Sequence, residues 1–166
     1  MNPILDEKQI IPTHQFGFRH NHSTKDQVRY LSRKYSRGKQ VCSSLFLDVV
    51  QSLDKVWHEG LFHKLELLLP TEYSLLLKSY LSGRYFQVKQ DDEYSGLRPI
   101  KVGVPHGSVL GPVLYLLYTS DLPQPEGPTV ATFADDTAIM AVGADVVDAT
   151  EKLQIAADEI NNWTRQ

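Results

Sequence analysis

A chain of 166 residues, 42% apolar and 22% charged, has about the length of one domain and the composition of a globular protein with a real core. Its single cysteine, Cys42, excludes an internal disulfide framework and fits a reducing, intracellular compartment. The start, M-N-P-I-L-D-E-K-Q, lacks the apolar core of a secretory signal, the longest apolar run (Val113 to Tyr118) is too short to span a bilayer, and the net charge of −3 argues weakly against a nucleic-acid binder.

Residues 1–22 read as irregular, with Pro3, Pro12, Gly17 and the run R-H-N-H. Ser23 is a predicted cap, Asp26 completes a box-like pattern, and Val28, Leu31 and Tyr35 follow at helical spacing up to Gly38. From Arg19 to Lys39 there are seven basic residues (Arg19, Lys25, Arg29, Arg33, Lys34, Arg37, Lys39) and the single acid Asp26. This face is either an ordinary solvated one or one laid on phosphates. His20 and His22 have no Cys partners nearby to make a metal site.

V-C-S-S-L-F-L-D-V-V (41–50) reads as a buried strand ending near Asp48. A helix is predicted from about Lys55 to Leu69, with Val56, Leu61, Leu65 and Leu68 on one side. Pro70 ends it, and Thr71 is placed to cap a second helix through Tyr73, Leu76, Leu77, Tyr80 and Leu81 to Gly83. Arg84 to Gln90 and Leu97 to Val102 read as strands around a polar turn. The loop G-V-P-H-G-S (103–108) leads into a helix through Leu110, Leu114, Leu117 and Tyr118, capped by Ser108. Such a loop lets a backbone or phosphate approach closely, or is simply structural.

T-V-A-T-F-A-D-D-T-A-I-M-A-V (129–142) is two strand-like runs around an acidic pair, so Asp135 and Asp136 belong at a hairpin tip. Residues 145–166 follow as an amphipathic helix with Val146, Leu153, Ile160 and Trp163 on one face. The order β-α-α-β-β-α-β-β-α suits an α+β sheet with helices on one face.

Adjacent carboxylates repel unless a proton or cation intervenes, so the pair is either a solvated turn or half of a divalent-metal site. Asp48 also ends a strand, and antiparallel neighbours could carry it to the same edge of the sheet. Three carboxylates without obvious His or Cys ligands suit Mg2+ or Mn2+, and two such ions would clamp a phosphoryl transfer.

These motifs together resemble the reverse transcriptase of non-LTR retrotransposons, the LINE and jockey-like group. H-Q-F-G-F-R-H-N-H-S-T (14–24) resembles the stretch preceding the palm, and F-L-D-V-V-Q-S-L-D-K-V-W-H (46–58) resembles polymerase motif A. G-V-P-H-G-S-V-L-G-P (103–112) resembles motif B, F-A-D-D (133–136) motif C, and the 145–166 helix falls where motif D begins. The resemblance implies a right-hand polymerase palm over 41–166, preceded by a partial fingers segment with the basic helix over 1–40. It implies RNA-directed DNA synthesis on an RNA template and DNA primer from deoxynucleoside triphosphates, with two Mg2+ or Mn2+ ions, and a nuclear location.

Carried over by position, Asp48, Asp135 and Asp136 hold the metals with the backbone of Val49. Val50, Leu53, His106 and Gly107 line the nucleotide, and Arg19, Lys25, Arg29, Arg33 and Lys34 meet nucleic acid. Leu53 stands where the family has an aromatic that excludes a ribose 2′-OH, and His106 where it has Gln. Nothing matches the family's triphosphate-gripping fingers segment or its thumb. The expectation is a palm that keeps its acids, leaves Trp163 on a bare apolar surface, and does not extend primers processively by itself. The rival reading is a non-catalytic nucleic-acid-binding or protein-binding fragment. An RNA-templated RNA polymerase also uses a palm with an acidic pair, but the surroundings of motifs A and B resemble the retrotransposon lineage more.

Overall fold

The computed structural model describes residues 5, 10–19, 22–35 and 40–165, with 33–35 described by backbone alone. By contacts the chain divides into two compact units, Met1–Val50 with Thr119–Gln166, and Gln51–Tyr118.

The first unit is built on a three-stranded antiparallel sheet, ordered β1 (Val41–Leu47), β7 (Asp136–Gly143), β6 (Thr129–Phe133). Leu45, Ile139 and Val130 stand side by side across it, as do Phe46, Ala138 and Ala131. Because side chains alternate along a strand, these two rows face opposite ways. The first row meets α5 (Val146–Trp163), where Leu153, Ala156 and Ile160 close a core with Val130, Ile139 and Ala141, and Leu45, Leu47 and Leu122 pack around it. On the second row's side, helix α1 (Thr24–Tyr35) packs on β6, and the Gln27 side chain donates to the Ala131 carbonyl at 3.2 Å. Helices therefore reach the sheet from both sides, where the strand order suggested one.

The predicted start of α1 forms, and α5 carries a cap that the sequence reading did not name. Asp145 caps α5 by accepting from the Asp148 amide at 2.9 Å, and Asp148 in turn accepts from the Ala144 amide. At α1 the Asp26 carboxylate accepts from both the Ser23 amide (3.0 Å) and the Ser23 hydroxyl (2.6 Å), which holds its pKa below the usual carboxylate value. The hydroxyl thus donates to the acid rather than accepting from the helix. On α5, Val146 is exposed, because the buried stripe runs Ala149, Leu153, Ala156, Ile160 and Val146 lies beyond its end. Trp163 is half-buried rather than bare. Gly38, the predicted end of α1, lies outside the described residues.

The second unit is mainly helical. A 3-10 turn (Ser52–Lys55) leads to α2 (His58–Leu68) and α3 (Thr71–Leu81), and α4 (Leu110–Tyr118) packs on α2 and on that turn. Leu61, Leu65, Leu77, Leu81, Leu114 and Leu117 are fully buried, each worth about 1.5–3 kcal/mol on leaving water. Thr71 does not cap α3: Pro70 takes that position with extended backbone, and Thr71 is the first helical residue. A proline fits there because its ring cannot continue α2 and presets the chain's turn. Ser108 does cap α4, accepting from the Leu110 amide at 3.0 Å.

The strands expected over 84–102 shrink to two-residue ladders. Tyr85–Phe86 (β2) pairs with Arg98–Pro99 (β5), and Lys89–Gln90 (β3) with Glu93–Tyr94 (β4). All eight residues are exposed and neither ladder joins the three-stranded sheet. Pro99 lacks an amide and Asp91 turns the chain at φ 53°, both of which shorten a ladder.

Candidate active site

The turn between β6 and β7 consists of Ala134 and Asp135, and Asp136 is the first residue of β7. On the other side of β7, Leu47 stands opposite Thr137, so the next residue along, Asp48, arrives beside Asp136 although 88 positions of sequence separate them. Both line one groove of about 310 Å3 with Gln27, Val28, Leu31, Phe46, Leu47, Thr137 and Ala138. The antiparallel register alone accomplishes this meeting, and its floor is the sheet face away from α5.

Asp135 stands differently. It lies in the turn itself and is not among the residues that line that groove. Among the described residues, no group of three or more His, Cys, Asp or Glu side chains is gathered closely enough to hold a metal ion. Asp48 and Asp136 thus share one groove, and Asp135 lies in the turn next in sequence. The donor set is carboxylate oxygen, which fits a hard divalent cation rather than zinc or copper.

The tip has an unusual backbone. Ala134 takes φ 59°, a left-handed conformation that costs a non-glycine residue about 1–2 kcal/mol. What braces it comes from the segment before α1. Residues 14–16 run parallel to β6, with the Thr132 amide donating to the His14 carbonyl and the Phe16 amide donating to the Thr132 carbonyl, both at 2.8 Å. The buried Gln15 side chain then reaches the tip: its Oε1 accepts from the amides of Gly17 (2.7 Å) and Ala134 (3.0 Å), and its Nε2 donates to the Ala134 carbonyl at 3.2 Å. Gly17 lies so close that a Cβ there would overlap the backbone of Phe133 and Ala134. Sequence reasoning missed Gln15 and Gly17 as site residues; the only signal was their place in the 14–24 stretch.

His14 is buried, and burial lowers its pKa to about 4. Its Nε2 lies 3.2 Å from the Gln124 amide nitrogen, which can donate only to a neutral ring. The unfolded chain takes up this proton near pH 6.5, so the stability tied to a neutral His14 is complete above pH 6.5 and drains away as pH falls towards 4. Urea midpoints at pH 7.5 and 4.5 should show the wild type losing about 2–3 kcal/mol more than His14→Gln over that interval. Equal losses would remove His14 from the account.

Val49 and Val50 follow β1 and are exposed. Leu53, His106 and Gly107 belong to the second unit. There the Val104 amide donates to the Leu53 carbonyl and the Gly103 amide to the Val56 carbonyl, both at 2.8 Å, stitching the 103–108 loop to the 3-10 turn. Gly103, at φ 85°, has the Asp54 backbone where a side chain would stand. His106 Nε2 lies 2.6 Å from Asp54 Oδ1, a partner the sequence reading did not anticipate. Gly107 takes φ 74°, a conformation that favours glycine.

Of the basic residues, Lys25 and Arg29 are exposed on α1 beside Val28 and Ser32. Arg19 instead turns inward, donating to the carbonyls of Pro12 (3.2 Å) and Gln15 (3.3 Å). His20, Arg37 and Lys39, and the side chains of Arg33 and Lys34, lie outside the described residues. No described helix is long and apolar enough to cross a membrane.

Comparison with known proteins adds a consistent picture. The family profile described as reverse transcriptase (RNA-dependent DNA polymerase) matches residues 1–166. The probable RNA-directed DNA polymerase of transposon BS from Drosophila melanogaster is 39% identical over 177 aligned positions, covering 100% of this chain and 20% of the relative. That of the X-element from the same fly is 40% identical, covering 98% and 19%, and that of the mobile element jockey is 38% identical, with the same coverage. The chain thus spans about a fifth of the length of these curated relatives. Among solved structures, apo telomerase from Candida tropicalis, truncated from its C-terminal domain, superposes with a TM-score of 0.61 at 14% identity, over 93% of this chain and 36% of that one. That likeness shows a shared fold.

Proposed function

The chain belongs to the reverse transcriptase (RNA-dependent DNA polymerase) family, and from that premise we propose that it forms the palm and part of the fingers of an enzyme that copies RNA into DNA. The observation that carries the proposal is the meeting of Asp48 and Asp136 in one groove at the end of a hairpin. In the proposed reaction the primer 3′-hydroxyl attacks the α-phosphate of a deoxynucleoside triphosphate, a phosphodiester bond forms, and pyrophosphate leaves.

Asp48, Asp136 and Asp135, with the Val49 carbonyl, are the groups that would hold two divalent ions, Mg2+ or Mn2+. Bound there, such ions would stabilise charge on the attacking and leaving oxygens. The protein's remaining share is alignment, which can account for roughly 7–11 kcal/mol of a barrier in well-oriented systems. Val50 and Leu53 follow Asp48 in sequence and are assigned to the nucleotide, Leu53 to its sugar. Leu53 fills less volume than an aromatic, so it discriminates ribose less sharply. His106 and Gly107 are assigned to the nucleotide and template base, with Asp54 orienting the His106 ring.

The test is primer extension on poly(rA)–oligo(dT) by a jockey polymerase in which this chain replaces the matching span. Extension supports the proposal. Inactivity of the chimera beside an active, unaltered parent counts against it and favours a fragment that only binds.

Lys25 and Arg29, exposed on α1, are assigned to the phosphates of template and primer. Each phosphate contact adds about 0.9 to the steepness of the log–log salt dependence on a B-form duplex and somewhat less on other forms. A Lys25→Ala/Arg29→Ala variant should bind an RNA–DNA hybrid more weakly, with a slope shallower by about one to two. Unchanged affinity and slope would remove this face from the interface. Arg19 is a poor choice for this test, because its replacement also frees two backbone carbonyls.

A further inference from the structure

We propose that Gln15 is a positioning residue for the Asp135–Asp136 turn: its carboxamide locks the backbone of Ala134 and so sets where the following carboxylates stand. The consequence for catalysis rests on the reading of those acids given above; the lock itself does not.

Three features of the geometry support it. The carboxamide satisfies both the amide and the carbonyl of the same residue, Ala134, so it treats the tip as an adjoining strand would. That residue is the one with the left-handed φ of 59°, a conformation that persists only where surroundings impose it. The Gln15 side chain is itself fixed, because it is buried, bonded to the Gly17 amide, and carried on a segment hydrogen-bonded to Thr132 on either side of Gln15. A side chain held at its base and bonded at its head transmits position.

Chemistry singles out glutamine for the task. The Oε1 atom receives two amides while Nε2 supplies the carbonyl, which needs an acceptor and a donor on one planar group. Methionine has similar length and neither function. Glutamate keeps the acceptor, loses the donor when ionised, and brings a third negative charge beside the acidic pair.

The test compares the wild-type chain with Gln15→Met, Gln15→Glu and Gln15→Met/Ala134→Gly. Amide hydrogen exchange reads the lock directly. In the Met variant the Ala134 amide should exchange about 10- to 100-fold faster, while that of Ile139 in the core keeps its rate. The Glu variant should retain most of the protection at Ala134. Mn2+ titration then reads the acids: the Met variant should bind about three- to tenfold more weakly, and Ala134→Gly should recover part of that, since glycine takes the left-handed conformation freely.

Equal exchange at Ala134 in wild type and the Met variant would overturn the proposal. So would an intact Mn2+ affinity despite faster exchange, since the turn would then be loosened with no effect on its acids. If Gln15→Met does not fold, the Glu variant decides, and loss of Ala134 protection in a folded Glu variant overturns the acceptor role. A wild-type chain that shows the lock by exchange and binds no Mn2+ overturns the link to the acids and the metal reading above, while leaving the brace on Ala134 standing.

Discussion

Asp135→Asn, placed in the jockey chimera, lowers primer extension by about 10³-fold or more at unchanged expression and fold. Losing an electrostatic contact made chiefly in the transition state is worth several kcal/mol, and each 1.36 kcal/mol is a factor of ten. Asn keeps the size of the side chain and one carbonyl oxygen, so the turn has no reason to rearrange. Asp48→Asn should do the same from the neighbouring strand. The double variant should be little worse than either single one, because groups that act as a unit fail as a unit. An Asp135→Asn chimera within tenfold of its parent would mean that the hairpin acids are not the reaction centre.

The second large effect is on folding. Ile139→Ala should cost about 2–5 kcal/mol, a large part of the 5–15 kcal/mol that holds a typical domain together. Ile139 is fully buried, pairs with Leu45 and Val130 across the sheet, and packs in the core that Leu153 and Ile160 close. Phe46 is the control: it is larger and on an adjacent strand, but 75% exposed, so Phe46→Ala should shift stability by about 0.5 kcal/mol or less. Urea unfolding followed by Trp163 fluorescence in a Trp57→Phe background reads the unit that contains the sheet, since the chain has two tryptophans. A core variant that unfolds at the same urea concentration as the Phe46 control would show that the sheet is not held by α5.

The strongest local patterns were legible. Two β-rich runs around an acidic pair gave the hairpin, and a strand ending in Asp48 gave its partner, because period-two alternation and chain reversal are written in neighbouring residues. The long-range part was not. Gln15 is 119 positions from Ala134, and nothing in F-A-D-D announces that its second residue needs a brace. The 84–102 segment misled for a related reason: Tyr85, Phe86, Val88 and Tyr94 favour strands, yet what makes a strand lasting is a partner of its own length, and Pro99 with the Asp91 turn left none. Thr71 looked like a cap because threonine often is one, and the proline before it already held that place. His106 was assigned to an incoming nucleotide; that its ring nitrogen also meets Asp54, 52 positions away, was not readable from motifs A and B taken separately.

The closeness of Gly17 to the hairpin has a bearing on how variants of this sequence are sorted. An inventory that scored only Asp48, Asp135 and Asp136 would count as sound any variant retaining the three. A variant with alanine, serine or arginine at 17 keeps them all, yet the added carbon occupies space already taken by Phe133 and Ala134. Either the hairpin or the 14–17 segment must shift to admit it. On the proposed function, such a sequence should lose activity with its acids intact, and position 17 belongs in the inventory as much as the aspartates.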